Sequence, residues 1–212
     1  MIMECIGVNR HRLGVDGVGV TTLIGNSTCN LNCKYCLNKI HSGRGTTAYT
    51  PEKLLDKVKI DDLYFITTRG GITFGGGEPL LDLPFIKDFI SLVKSRKFNW
   101  KINVETALNV PLSTVQDALQ YFDSFIIDIK SLDEKVYKDY TGVSNKKLLT
   151  NLYYLSEQIL SGNLDAERFV IRVPLIDGFT SDCSVHCDKA YLKHLGFTNF
   201  DLFKYRILDN KN

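Results

Sequence analysis

Cys29, Cys33 and Cys36 fall within eight positions of the stretch TCNLNCKYCLN, and they are half of the chain's six cysteines. Thiolates hold zinc ions and iron–sulfur clusters. A closed zinc site or a complete ferredoxin site uses four protein ligands. Three thiols around a four-iron cube leave one iron with an open position, and a catalytic metal needs such a position for its substrate. The triad alone also admits a zinc site that borrows His41, or three unrelated buried cysteines. A second stretch, GGITFGGGEPLL, carries Gly75, Gly76 and Gly77 followed by Glu78 and Pro79. Three glycines leave bare backbone for a ligand to approach, although a tight turn needs the same residues. Further on stand Glu105 and Thr106 in VETA, Asp128 and Lys130 in DIK, and Arg172 in VIRVPLIDGFT. Asp128 and Lys130 taken alone read as a surface ion pair.

The elements that must position these groups are short β-like runs at 18–25, 71–77, 100–106, 124–130, 168–175 and 200–205. They are rich in Val, Ile, Phe and Tyr, and most lack strict polar alternation, which predicts strands covered on both faces. Helix-like runs separate them. TPEKLLDKV has Thr50 as a cap, Pro51 at the first helical position and Glu52 in the first turn. Apolar spacing predicts further helices over 83–96, 111–122, 145–160 and 184–195. Strands alternating with helices imply parallel βαβ crossovers. The expected fold is α/β: a partial, open (β/α)6 TIM-type barrel of mostly parallel strands, forming one domain over 1–212. Chemistry in such folds gathers at the C-terminal ends of the strands, which is where every motif above should fall.

Composition narrows the function. Of 212 residues, 44% are hydrophobic and 24% charged, and the formal net charge is +2, so bulk electrostatics make no case for nucleic acid. No apolar run approaches the ~20 residues that span a bilayer. The start, MIMECIGVNRHR, lacks the apolar centre of a secretory signal. A cytoplasmic protein is expected, where clustered cysteines bind metal or do redox chemistry more often than they form disulfides.

The C-x3-C-x2-C spacing, with aromatic Tyr35 before the last cysteine, resembles the signature of the radical SAM superfamily. The GGEP segment and the later strand ends narrow the likeness to the glycyl-radical-enzyme activating enzymes, the group of the pyruvate formate-lyase activase. They include DIK, a loop ending in TGVSN, VIRVPLIDGF, and TPEKLL before the second strand. The likeness runs in one order over roughly residues 18–180. It implies a single [4Fe–4S] cluster held by Cys29, Cys33 and Cys36 in a cluster loop at 29–36. S-adenosylmethionine (SAM) would chelate the open iron, with Gly75, Gly76, Gly77, Glu78 and Pro79 at its methionine amino group. Lys130 would face the methionine carboxylate, and Arg172 would stand near the cofactor. Asp128 with Glu105 and Thr106 would hold a monovalent cation. The implied reaction is one-electron cleavage of SAM and abstraction of a hydrogen atom from a glycine of a partner glycyl-radical enzyme. A flavodoxin or a ferredoxin-type protein would donate the electron.

The chain departs from that pattern at Glu105, where the family has Asp, and at Ala107-Leu108, where it has Asn-Gly. Gly75 replaces a Ser, and 200–205 lacks the family's His. These departures bear more on the substrate half of the site than on the cofactor half. Two rivals remain. One is a radical SAM enzyme acting on a peptide or small molecule, such as the deazaguanine ring-contraction enzymes. The other is a non-catalytic metal-binding module. Cys183 and Cys187, with His186 between them, could form a second metal site, but an exposed location without ligand role is the expectation.

Overall fold

A computed structural model of the chain describes residues 1–40 and 45–205. His41 lies outside the described residues. The six expected strands are present as β2 (Val20–Asn26), β4 (Gly71–Gly76), β5 (Lys101–Thr106), β6 (Ser124–Asp128), β7 (Phe169–Leu175) and β8 (Asn199–Lys204). They lie parallel and side by side in that order. Two strands extend the sheet beyond β2. These are β1 (Met3–Leu13), antiparallel to β2, and β3 (Thr47–Tyr49), antiparallel to β1. The result is an eight-stranded open sheet whose parallel part is the expected (β/α)6 half-barrel.

The helices supply the right-handed crossovers that parallel neighbours require. They are α1 (Leu37–Ile40), α2 (Pro51–Val58), α3 (Asp62–Thr68), α4 (Leu83–Ser95), α5 (Leu112–Ala118), α6 (Glu134–Thr141), α7 (Lys146–Leu160) and α8 (Asp182–His194). Helix α2 starts as its sequence predicts: Thr50 Oγ1 accepts from Lys53 N at 3.3 Å and Pro51 follows. Helix α6 occupies part of the stretch expected to be loop. Asp133 caps it, accepting from Val136 N at 2.8 Å, and Gly142 ends it at φ +80°, where glycine carries no Cβ penalty.

Strands β4 to β7 each bury one apolar face against the helices. Ile72, Phe74, Ile102, Val104, Phe125, Ile127, Phe169 and Ile171 are all buried there, and ring contacts such as Phe74–Phe89 and Phe125–Phe169 lock the layers. The opposite face is also covered, as expected, but with polar side chains. Thr73, Asn103 and Ser124 stand abreast in register. They bond in a row: Asn103 Nδ2 donates to Thr73 Oγ1 (3.3 Å), and Ser124 Oγ donates to Asn103 Oδ1 (2.8 Å). The hairpin tip between β1 and β2 folds against this polar face. There the Asp16 carbonyl accepts from Thr73 Oγ1, and the Val15 carbonyl accepts from Arg172. No helix among the described residues is long and apolar enough to cross a membrane.

Candidate functional site

The motifs meet at the C-terminal edge of the parallel strands. Strand β2 runs into the cysteine loop, β4 into Gly77 and Glu78, β5 ends at Thr106, and β6 ends at Asp128 just before Lys130. The cysteine loop is pinned by its backbone. Asn32 N donates to Thr141 O (2.8 Å) and Lys34 N to Tyr140 O (3.0 Å), both at the end of α6. Tyr35 turns its ring towards Tyr140 and Phe179, with centroids 6.1 and 5.8 Å away, and Lys34 lies 4.8 Å over the Phe179 ring. Tyr205, at the end of β8, donates its hydroxyl to Tyr35 O at 2.7 Å. Loop and barrel rim thus hold each other without using the thiols.

Cys33 and Cys36 are half-buried and Cys29 is exposed. Burial pushes the Cys33 thiol up to about 11, and it raises Cys29 as well. Neutral thiols are poor ligands, so a bound cation would have to keep them ionised. Among the described residues, no three His, Cys, Asp or Glu side chains are gathered as around a metal ion. The donor set nonetheless fits an iron–sulfur cluster: three thiols within eight residues on one anchored loop, with the Lys130 ammonium bearing on Cys29 and Cys33.

The glycine-rich strand end packs directly under that loop. Gly77 N donates to Asn26 O (3.0 Å) and Glu78 N to Thr28 O (2.7 Å). A Cβ on Gly77 would collide with the Thr28 carbonyl and stand 2.7 Å from Asn26 Oδ1. Gly76 has φ +88°, and its carbonyl accepts from Asn38 Nδ2, two residues past Cys36. Asn38 was not singled out from the sequence, and its nearness to the last cysteine was the available signal. Gly75 leaves room for the Glu105 side chain, because a Cβ there would stand 2.7 Å from Glu105 Oε2. Pro79 opens a single 3-10 turn capped by Glu78.

Glu78 is 1% exposed. Its Oε1 accepts from Thr106 Oγ1 (2.7 Å) and Leu80 N (3.3 Å), and its Oε2 from Ala107 N (3.0 Å). Burial outweighs these donors and lifts the carboxyl to about 7. Its oxygens therefore brace β4 against β5. Lys130 pairs with Asp128 Oδ2 at 3.0 Å; its ammonium is nearly buried, and Asp128 with Cys33 hold it in the charged form. The other Asp128 oxygen, Oδ1, is buried without a hydrogen-bond partner.

The residues expected to share a cation are instead spread over three pairings. Thr106 serves Glu78, Asp128 serves Lys130, and Glu105 Oε1 lies 2.6 Å from Arg172 Nη1. Arg172 also approaches Asp201 (3.3 Å) and Asp16 (4.0 Å) within the polar face. Burial pushes the Glu105 carboxyl up while Arg172 pulls it down. Cys183 and Cys187 sit exposed in the first turns of α8, hydrogen-bonded to each other, and His186 Nδ1 lies 2.7 Å from Asp182 O.

An open parallel half-barrel with a three-thiol loop at its rim and a glycine cradle beside it defines a cluster-binding α/β protein. The radical SAM superfamily model matches residues 23–183, and the chain belongs to that superfamily, whose members use a [4Fe–4S] cluster and SAM. The (2S)-3-sulfopropanediol dehydratase activating enzyme of Klebsiella oxytoca is 33% identical over 131 residues, 62% of this chain and 38% of the relative. The pyruvate formate-lyase-activating enzyme of Clostridium pasteurianum is 33% identical over 132 residues, 60% of this chain and 53% of the relative. The chain thus spans about half or less of these relatives. In structure it is similar to SuiB of Streptococcus suis bound to S-adenosylmethionine. That match has a TM-score of 0.62 and 15% identity, covering 86% of this chain and 39% of the other, and it bears on the fold alone.

Proposed function

We propose that this chain is an activating enzyme of the radical SAM type, its residues 1–212 forming one domain. In this reading Cys29, Cys33 and Cys36 hold the cluster. The backbone carbonyls of Gly76, which also accepts from Asn38, and of Gly77 would receive the methionine amino group of SAM, and Lys130 would receive its carboxylate, an ammonium being a suitable point charge for it. When bound, cluster and SAM supply a one-electron cleavage of the sulfonium to methionine and a 5′-deoxyadenosyl radical that takes a hydrogen atom. The protein's own work is positioning and exclusion. Glu78 holds two strand ends in register, Asp128 orients Lys130, and the aromatic wall of Tyr35, Tyr140 and Phe179 shields one side of the loop.

The hydrogen donor in this reading is a glycine of a partner glycyl-radical enzyme, docked at the open mouth. A flavodoxin or ferredoxin-type donor supplies the electron in the cytoplasm. The single observation that carries the reading is the backbone contact of the glycine cradle with the cysteine loop, Glu78 N to Thr28 O, which brings the two motifs side by side and so supports a site shared by cluster and SAM. The named activities of the relatives support the partner class. The test is anaerobic reconstitution with iron and sulfide, then reductant and SAM. Formation of 5′-deoxyadenosine is expected, and a glycyl-radical EPR signal is expected when the partner is present. Zinc uptake without SAM cleavage would sink the reading.

A further inference from the structure

Tyr137 lies on α6, the helix whose end pins the cysteine loop through Thr141 O and Tyr140 O. It is fully buried, and its hydroxyl has no hydrogen-bond partner among the described residues. A buried hydroxyl is costly to leave unpaired, so a partner is sought among the groups close enough to bear on it. The charges bearing on it are Cys33, Lys130, Glu78 and Cys29. Lys130 has only protons to give. The Glu78 oxygens already accept from Thr106, Leu80 and Ala107. The acceptors that remain are the sulfurs of Cys33 and Cys29, which become strong acceptors only as metal-bound thiolates.

We infer that the Tyr137 hydroxyl donates a hydrogen bond to the sulfur shell of the bound cluster, and that it tunes the reduction potential of that cluster. Such bonds stabilise the more negative, reduced state, and hydrogen bonds to the sulfurs are among the terms that set an iron–sulfur potential. Tyr137 is therefore a positioning and tuning residue, not a catalytic one. The inference rests on the cluster assignment made above.

The experiment uses the full chain, reconstituted anaerobically without SAM and titrated potentiometrically while the reduced cluster is followed by EPR. Tyr137→Phe removes the hydroxyl and keeps the ring. Its midpoint is expected to fall below wild type, and Tyr137→His, which restores an N–H donor, should return it towards the wild-type value. Before iron is added, the Phe variant should melt no lower than wild type, because the phenol has no protein partner to lose. An unmoved midpoint, a His variant displaced as far as Phe, or a Phe variant that no longer folds each overturns the inference. A wild-type chain that loads no four-iron cluster would instead sink the functional reading itself. A loaded wild type with an indifferent Phe variant leaves that reading standing.

Discussion

Glu78 makes the chain's stability depend on pH in a direction opposite to that of most carboxylates. Its carboxyl moves from an ordinary value of 4.5 to about 7 on folding, because it is buried between β4 and β5 with no cation against it. A raised acid is protonated more readily folded than unfolded. Its stabilising contribution is complete below the unfolded value, near pH 4.5, and is lost as pH rises through about 7. A displacement of that size is worth about 3 kcal/mol. Glu78→Gln keeps the shape and one oxygen but cannot ionise, so it removes this dependence. Urea unfolding of the metal-free protein should show the Gln variant gaining on wild type by up to about 3 kcal/mol between pH 4.5 and 8. Subtracting one profile from the other removes groups common to both. If the two profiles run parallel, or wild type gains as pH rises, then Thr106, Ala107 and Leu80 hold the charged form and the burial argument fails.

Gly77→Ala should cost about 1–3 kcal/mol in urea unfolding, because its Cβ displaces the Thr28 carbonyl and breaks the Glu78 N bond to it. Arg172→Met leaves Glu105 buried without its cation, whereas Asp16 keeps Arg12. A loss of about 3–5 kcal/mol is expected at pH 8, shrinking at pH 5.5 as Glu105 takes up a proton, again by urea unfolding. Lys130→Met should load iron normally yet bind SAM roughly 10- to 100-fold more weakly, the value of a charge-assisted bond. Anaerobic calorimetry checks this, and unchanged affinity would remove Lys130 from the carboxylate.

The parallel strands were legible because each carries an apolar face that survives as a run of Val, Ile and Phe. Strand β1 was not. Only Met3 and Cys5 are buried at its start, and the rest, IGVNRHRL, is half-buried or exposed beside β2. Strand β3 has three residues and no pattern to show. Helix α6 had a readable signal, Asp133 before it and Gly142 after it, which the likeness of the segment to a family loop obscured. The positions of the motifs followed from the strand-end rule. The pairings did not, because they depend on long-range geometry. Glu105 meets Arg172 across 67 residues, and Glu78 meets Thr106 across 28. A cation site shared by Glu105, Thr106 and Asp128 looked natural in one dimension. In three, Thr106 also bonds Glu78, Glu105 also pairs with Arg172 and Asp128 Oδ2 with Lys130, while Asp128 Oδ1 has no partner among the described residues.

Arg172 shows what an open barrel needs that a closed one does not. A closed barrel holds strand tilt by pairing its last strand with its first, whereas among the described residues β8 pairs with β7 alone. Arg172 reaches from β7 to Glu105 on β5, to Asp201 on β8 and to the Val15 carbonyl and Asp16 of the β1–β2 hairpin. These contacts join both sides of the arc across its polar face. At the rim, the Tyr205 hydroxyl on the Tyr35 carbonyl makes a second bridge from β8 to the loop that follows β2. With the curvature fixed at these two levels, the mouth between them can stay open.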